Sequence, residues 1–121
     1  MDETARTRVV IMEDDRAIAG LVSEILESEG FATLTADQTT PADVVAAHRP
    51  SLLLLDVMLG RRDGRDVLCE LRRHGLWRVP VVLLSGRHEL ESQMHDMGAV
   101  AFIRKPFDID DLVATCRAAA G

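Results

Sequence analysis

Leu52-Leu53-Leu54-Leu55-Asp56 is the stretch on which the fold turns. A continuous apolar run of this kind is the signature of a strand buried on both faces, and here it ends on a carboxylate. Working outward, Val81 to Leu84 is a second such run, preceded by Val79-Pro80 and ended by Ser85-Gly86. Upstream, Val9 to Met12 is apolar and stops at Glu13, Asp14 and Asp15. Phe31 to Thr35 predicts a weaker strand, and Val100 to Arg104 a fifth that ends at Lys105-Pro106.

Amphipathic segments lie between these runs. Ile18, Leu21, Val22, Ile25 and Leu26 recur at helical spacing until Gly30 stops them. Thr40-Pro41 predicts an N-cap with proline at the first helical position, opening a helix to about His48 before Pro50. Gly60 to Gly64 reads as loop; Val67, Leu68 and Leu71 mark a third helix ended by Gly75. A fourth is expected from about Glu89 to Met97 with Gly98 as its C-cap, and a fifth, capped by Asp108 to Asp111, carries Ile109, Leu112, Val113 and Cys116. Buried strands joined by helices require a parallel sheet with helices on both faces, a doubly wound α/β fold.

With 121 residues the chain is one domain, 1–121, with Met1 to Thr7 a polar tail. Its 47% hydrophobic and 28% charged residues exclude disorder along the whole length. A net charge of −6 and a pI near 5.1 argue against nucleic-acid backbone as the main partner. No apolar stretch approaches the ~18 residues of a membrane span, and a cytoplasmic protein is expected. Cys69 and Cys116 offer neither a disulfide framework nor metal spacing and read as buried or half-buried free thiols. His48, His74, His88 and His95 show no ligand spacing and read as surface residues; Trp77 reads as packing.

In open α/β sheets ligands sit beyond the carboxyl ends of the strands. Those ends deliver Glu13 and Asp14, Asp56, Ser85 and Lys105. Three carboxylates in one place repel one another unless a cation intervenes, and an all-oxygen set of hard ligands suits Mg²⁺. With Lys105 and a divalent ion the set is near neutral, so a phosphoryl dianion could approach and Asp56 could act as a nucleophile. Each piece has a plainer reading. Glu13-Asp14-Asp15 could simply cap a helix, the reading kept for Asp15; Ser85-Gly86 could be an ordinary turn. Asp56 resists such a reading, because an ionised carboxylate ending four leucines is costly to bury without a partner.

On these residues, together with Asp63-Gly64 and Lys105-Pro106-Phe107, the chain resembles the receiver domain of two-component response regulators, and the likeness covers essentially all of it. The resemblance implies a flavodoxin-like sheet of order 2-1-3-4-5. It implies Asp56 as phosphoacceptor, Asp14, Asp56 and the Met58 backbone carbonyl as Mg²⁺ ligands, and Glu13 acting largely through water. Ser85 and Lys105 would contact the phosphoryl group, and Ser85 and Phe102 would carry the switch to the face formed by the fourth helix, fifth strand and fifth helix. It also implies a cis Lys105-Pro106 bond. The implied partners are a sensor histidine kinase or histidine phosphotransfer protein and an output domain or partner protein, with a monomer or phosphorylation-dependent dimer. The receiver would catalyse its own phosphotransfer and dephosphorylation without being a free-turnover enzyme.

The chain departs from that family at several places. Gly60 stands where many receivers have proline, Phe102 where tyrosine is common, and Gly86 where alanine is usual. Met58 and Arg87 flank the path of attacking water in the family, and apolar Met58 is expected to prolong the phosphoryl lifetime. Arg61, Arg62 and Arg65 form a basic patch, ordinarily solvated, that a phosphodonor could touch. A flavin module of the same fold would need a glycine- and hydroxyl-rich loop where Glu13-Asp14-Asp15 stands. An aspartate-nucleophile phosphatase would want an acid where Met58 stands. A docking module that has lost phosphorylation is opposed by Asp14, Asp56, Ser85 and Lys105, and a receiver cut from a longer DNA-binding regulator or hybrid kinase stays open.

Overall fold

Strands β1 (Arg8–Met12), β2 (Ala32–Ala36), β3 (Leu52–Asp56), β6 (Val81–Ser85) and β7 (Ala101–Arg104) form one parallel sheet in the order β2-β1-β3-β6-β7. Counting these strands alone, the order is 2-1-3-4-5. A two-residue antiparallel hairpin, β4 (Met58–Leu59) with β5 (Arg62–Asp63), follows β3. The helices are α1 (Arg16–Ser28), α2 (Pro41–His48), α3 (Gly64–Arg73) and α4 (Ile109–Ala120), with a 3₁₀ helix at His88–Gln93. This computed structural model describes residues 7–36, 40–59, 62–76, 78–94, 96 and 98–121; of 58, 59, 62 and 88–90 it describes the backbone. Gly60, Arg61, Trp77, His95, Met97, the first six residues and the side chains of Met58, Arg62 and His88 thus lie outside the described set.

Central β3 is buried throughout, and its alternating side chains feed two cores. Leu53 and Leu55, with Val10, Met12 and Leu83, pack on α2 and α3 through Val45, Val67 and Leu71. Leu52 and Leu54, with Val9, Ile11 and Val82, pack on α1 and α4 through Val22, Leu26, Leu112 and Cys116. Among the described residues no helix is long and apolar enough to cross a membrane.

Local signals set the helix ends. Asp15 caps α1, accepting from the Ala17 and Ile18 amides at 3.0 and 3.2 Å, and Asp108 caps α4. Gly30 and Gly75 take φ of 94° and 72°, which turns the next amide back onto the helix: Phe31 to the Leu26 carbonyl and Leu76 to that of Leu71. That bond takes the Phe31 amide, so β2 starts at Ala32 and not at Phe31. Val100 likewise falls outside β7 and is half-exposed, although its amide bonds the Val81 carbonyl.

Three expectations are corrected and a fourth is met in position only. The span from Glu89 to Met97 is not an α-helix over the described residues but the 3₁₀ helix His88–Gln93; only Leu90 is apolar before Met94, too little for a helical stripe. Of the stretch 60–64, expected as loop, Arg62–Asp63 form β5 and Gly64 opens α3. Cys69 is exposed, because Val67, Leu68 and Leu71 turn the other face of α3 to the core. Thr40 precedes Pro41 as expected, yet its hydroxyl makes no capping bond; the Ala42 amide is met instead by Glu70 of α3 at 3.3 Å.

Candidate functional site

Parallel strands end together, so the sheet itself gathers what the sequence places after each run. Glu13 follows β1, Asp56 ends β3, Ser85 ends β6 and Lys105 follows β7. Glu13, Asp56 and Ser85 are the three buried polar side chains among the described residues. The Lys105 ammonium lies 2.8 Å from Asp56 Oδ2 and 3.2 Å from both Glu13 oxygens. The Lys105 amide bonds the Ser85 carbonyl at the end of β6, and the Lys105-Pro106 bond is cis, as the resemblance implies.

The charges are unevenly met. Burial, reinforced by the neighbouring Asp56, pushes the Glu13 carboxyl up to about 8 despite Lys105. Burial pulls Lys105 down, but Asp56 and Glu13 outweigh it and hold the ammonium above the ordinary lysine value. One ammonium among two buried carboxyls leaves the site short of positive charge. Asp14 is exposed and, with Glu13, lines the groove between α1 and β2. Among the described residues no three His, Cys, Asp or Glu side chains stand close enough to hold a metal ion.

The Ser85 Oγ accepts from the Arg87 amide at 2.9 Å, leaving the hydroxyl proton to donate. Ser85 pairs with Arg104 and Leu83 with Phe102 across β6 and β7, so Ser85 and the half-buried Phe102 share a sheet face. Arg104 in turn pairs with Glu91 of the 3₁₀ helix at 2.8 Å from its Nε.

Gly64 holds a positioning role that the sequence signalled only as part of Asp63-Gly64. A Cβ there would stand 2.9 Å from the Val57 Cα and 3.2 Å from the Asp56 carbonyl, and the Gly64 amide bonds the Val57 carbonyl. Lacking a side chain, it lets α3 start against the backbone that carries Asp56. Gly86 is different: a Cβ there would meet only the Lys105 Cβ at 3.9 Å, an ordinary contact.

A doubly wound α/β sheet with an acid-and-lysine cluster beyond the carboxyl ends of its strands places this chain among α/β proteins whose site lies at the strand ends. The family model of the response regulator receiver domain matches residues 9–117, and the chain belongs to that family. It is 40% identical over 110 residues to the nitrogen assimilation regulatory protein NtrX of Azorhizobium caulinodans, covering 87% of this chain and 24% of that protein. It is 36% identical over 113 residues to the transcriptional regulatory protein CpxR of Klebsiella pneumoniae, covering 92% and 48%. The crystal structure of the receiver domain of NtrX from Brucella abortus superposes with a TM-score of 0.83 at 32% identity, over 93% of this chain and 97% of that one. The chain spans about a quarter of the length of the first of these curated relatives and about half of the second. It is a receiver domain of the two-component response-regulator kind, a signalling module.

Proposed function

We propose that this receiver accepts a phosphoryl group on Asp56 from a phosphohistidine of a sensor kinase or phosphotransfer protein in the cytoplasm. The observation that carries the reading is the Asp56 carboxylate, buried at the end of the central strand and 2.8 Å from the Lys105 ammonium. The donor's P–N bond breaks as a P–O bond to Asp56 forms, and the leaving imidazole takes up a proton. Lys105 holds charge on a phosphoryl oxygen and the Ser85 hydroxyl donates to another. Ser85 drawn toward the phosphoryl group frees space for Phe102 on the same sheet face, and the 3₁₀ helix, β7 and α4 then present a changed surface to an output partner.

The donor set fits Mg²⁺ by its chemistry: Glu13 and Asp56 are hard oxygen ligands at the strand ends, and Mg²⁺ takes one or two carboxylates with water completing its shell. Asp56, Asp14 and the Met58 carbonyl would hold the ion, with Glu13 acting through water. When bound, it supplies positive charge facing the phosphoryl oxygens.

Incubation with acetyl phosphate, with and without Mg²⁺, followed by intact mass tests the reading. The wild type gains one phosphoryl group in a Mg²⁺-dependent manner and Asp56→Asn gains none. No gain in the wild type, or an equal gain in Asp56→Asn, would leave a docking module as the better reading.

A further inference from the structure

The opposite end of the molecule holds a second concave feature. Leu68 and Leu71 of α3, Leu76 and Val79 of the following turn, and Val81 at the start of β6 line a groove of about 520 Å³. That volume falls within the roughly 300–1,000 Å³ of small-molecule sites, which pair apolar walls with a few polar groups. Here the polar group is Arg72, whose exposed guanidinium lies at the rim over Gly98 and has no ion-pair or hydrogen-bond partner among the described residues. A Cβ on Gly98 would fall on that guanidinium, so the missing side chain makes the seat in which the cation rests. Gly98 also holds φ +84°, which side chains rarely adopt. Val81 precedes Ser85 by four strand positions, roughly 13 Å at 3.3 Å per residue, so the groove is separate from the Asp56 cluster.

We propose that this groove binds a small amphipathic anion, a carboxylate on an aliphatic chain. Its tail lies on Leu68, Leu71, Leu76, Val79 and Val81 and its head pairs with Arg72. An aliphatic alcohol lacks the charge for Arg72, and an alkylammonium of the same length is repelled by it. Binding does not require phosphorylation, so its success or failure is independent of the role of Asp56.

Titration of the ¹⁵N-labelled chain with octanoate tests the site, with octyltrimethylammonium as the cationic control. Octanoate is expected to shift the amides of Leu68, Leu71, Leu76, Val79, Val81 and Gly98 saturably, and Arg72→Ala to weaken it about tenfold, the scale of one charge-assisted pair. Val79→Phe, which fills the groove, removes the saturable shifts while amides around Asp56 keep their positions. Absence of saturable shifts in the wild type overturns the proposal. So does equal affinity in Arg72→Ala, undiminished binding in Val79→Phe, or equal shifts with the cationic control.

Discussion

Lys105 touches two buried carboxyls at once, and its removal tests how far the site depends on that one charge. Lys105→Met keeps the aliphatic stem but leaves Asp56 without the ammonium 2.8 Å away. The expected cost is about 1–3 kcal/mol in urea unfolding, the scale of a buried polar group that loses its partner, together with loss of phosphorylation by acetyl phosphate. The three consecutive acids after β1 divide their work by direction: Glu13 points into the site, Asp14 is exposed and Asp15 caps α1. Asp15→Ala is accordingly expected to cost about 1 kcal/mol while intact mass still shows one phosphoryl group gained. Residue chemistry, including the cap at Asp15, was legible in the sequence. The inward turn of Glu13 was not, since it depends on where the Lys105 ammonium arrives from a distant strand.

Helix α3 shows how an element serves the site without contributing a reacting atom. It begins at Gly64 against the Asp56-Val57 backbone and is capped by Asp63, which accepts from the Arg65 amide at 2.9 Å. The Arg65 guanidinium beside Asp63 holds that carboxyl below the ordinary range. A depressed folded value means the folded state favours the ionised form, so the stabilisation is present above the usual 3.8 and is lost as pH falls through the folded value. Urea midpoints measured from pH 6 to pH 3 should therefore fall less steeply in Asp63→Ser, which still caps but does not titrate in that range. At this scale the strands and the caps of α1 and α4 were readable, because each depends on a few neighbouring residues. The β4·β5 pair after β3 and the 3₁₀ helix were not: the first is fixed by pairing of Met58 with Asp63 and Leu59 with Arg62, and the second is tied by Glu91 to Arg104 on β7.

The whole molecule is two apolar layers held apart by one sheet, with α1 and α4 on one side and α2 and α3 on the other. The two cysteines report on it separately. Cys69 is exposed on α3, whereas Cys116 is fully buried against the sheet and burial pushes its thiol up to about 11. Brief iodoacetamide treatment at pH 8 is expected to add one adduct in buffer and two in urea; two adducts in buffer would show that α4 does not stay docked. The alternation of strands and helices, the burial of β3 on both faces and the residue that ends each strand were written in local sequence, since periodicity and turn chemistry are properties of neighbouring residues. That the Lys105 ammonium meets Glu13 and Asp56 within 3.2 Å, that Asp14 is exposed and that Arg72 rests over Gly98 came from the folded arrangement alone. Those outcomes depend on strand register and helix packing between residues far apart in the chain, which no local pattern encodes.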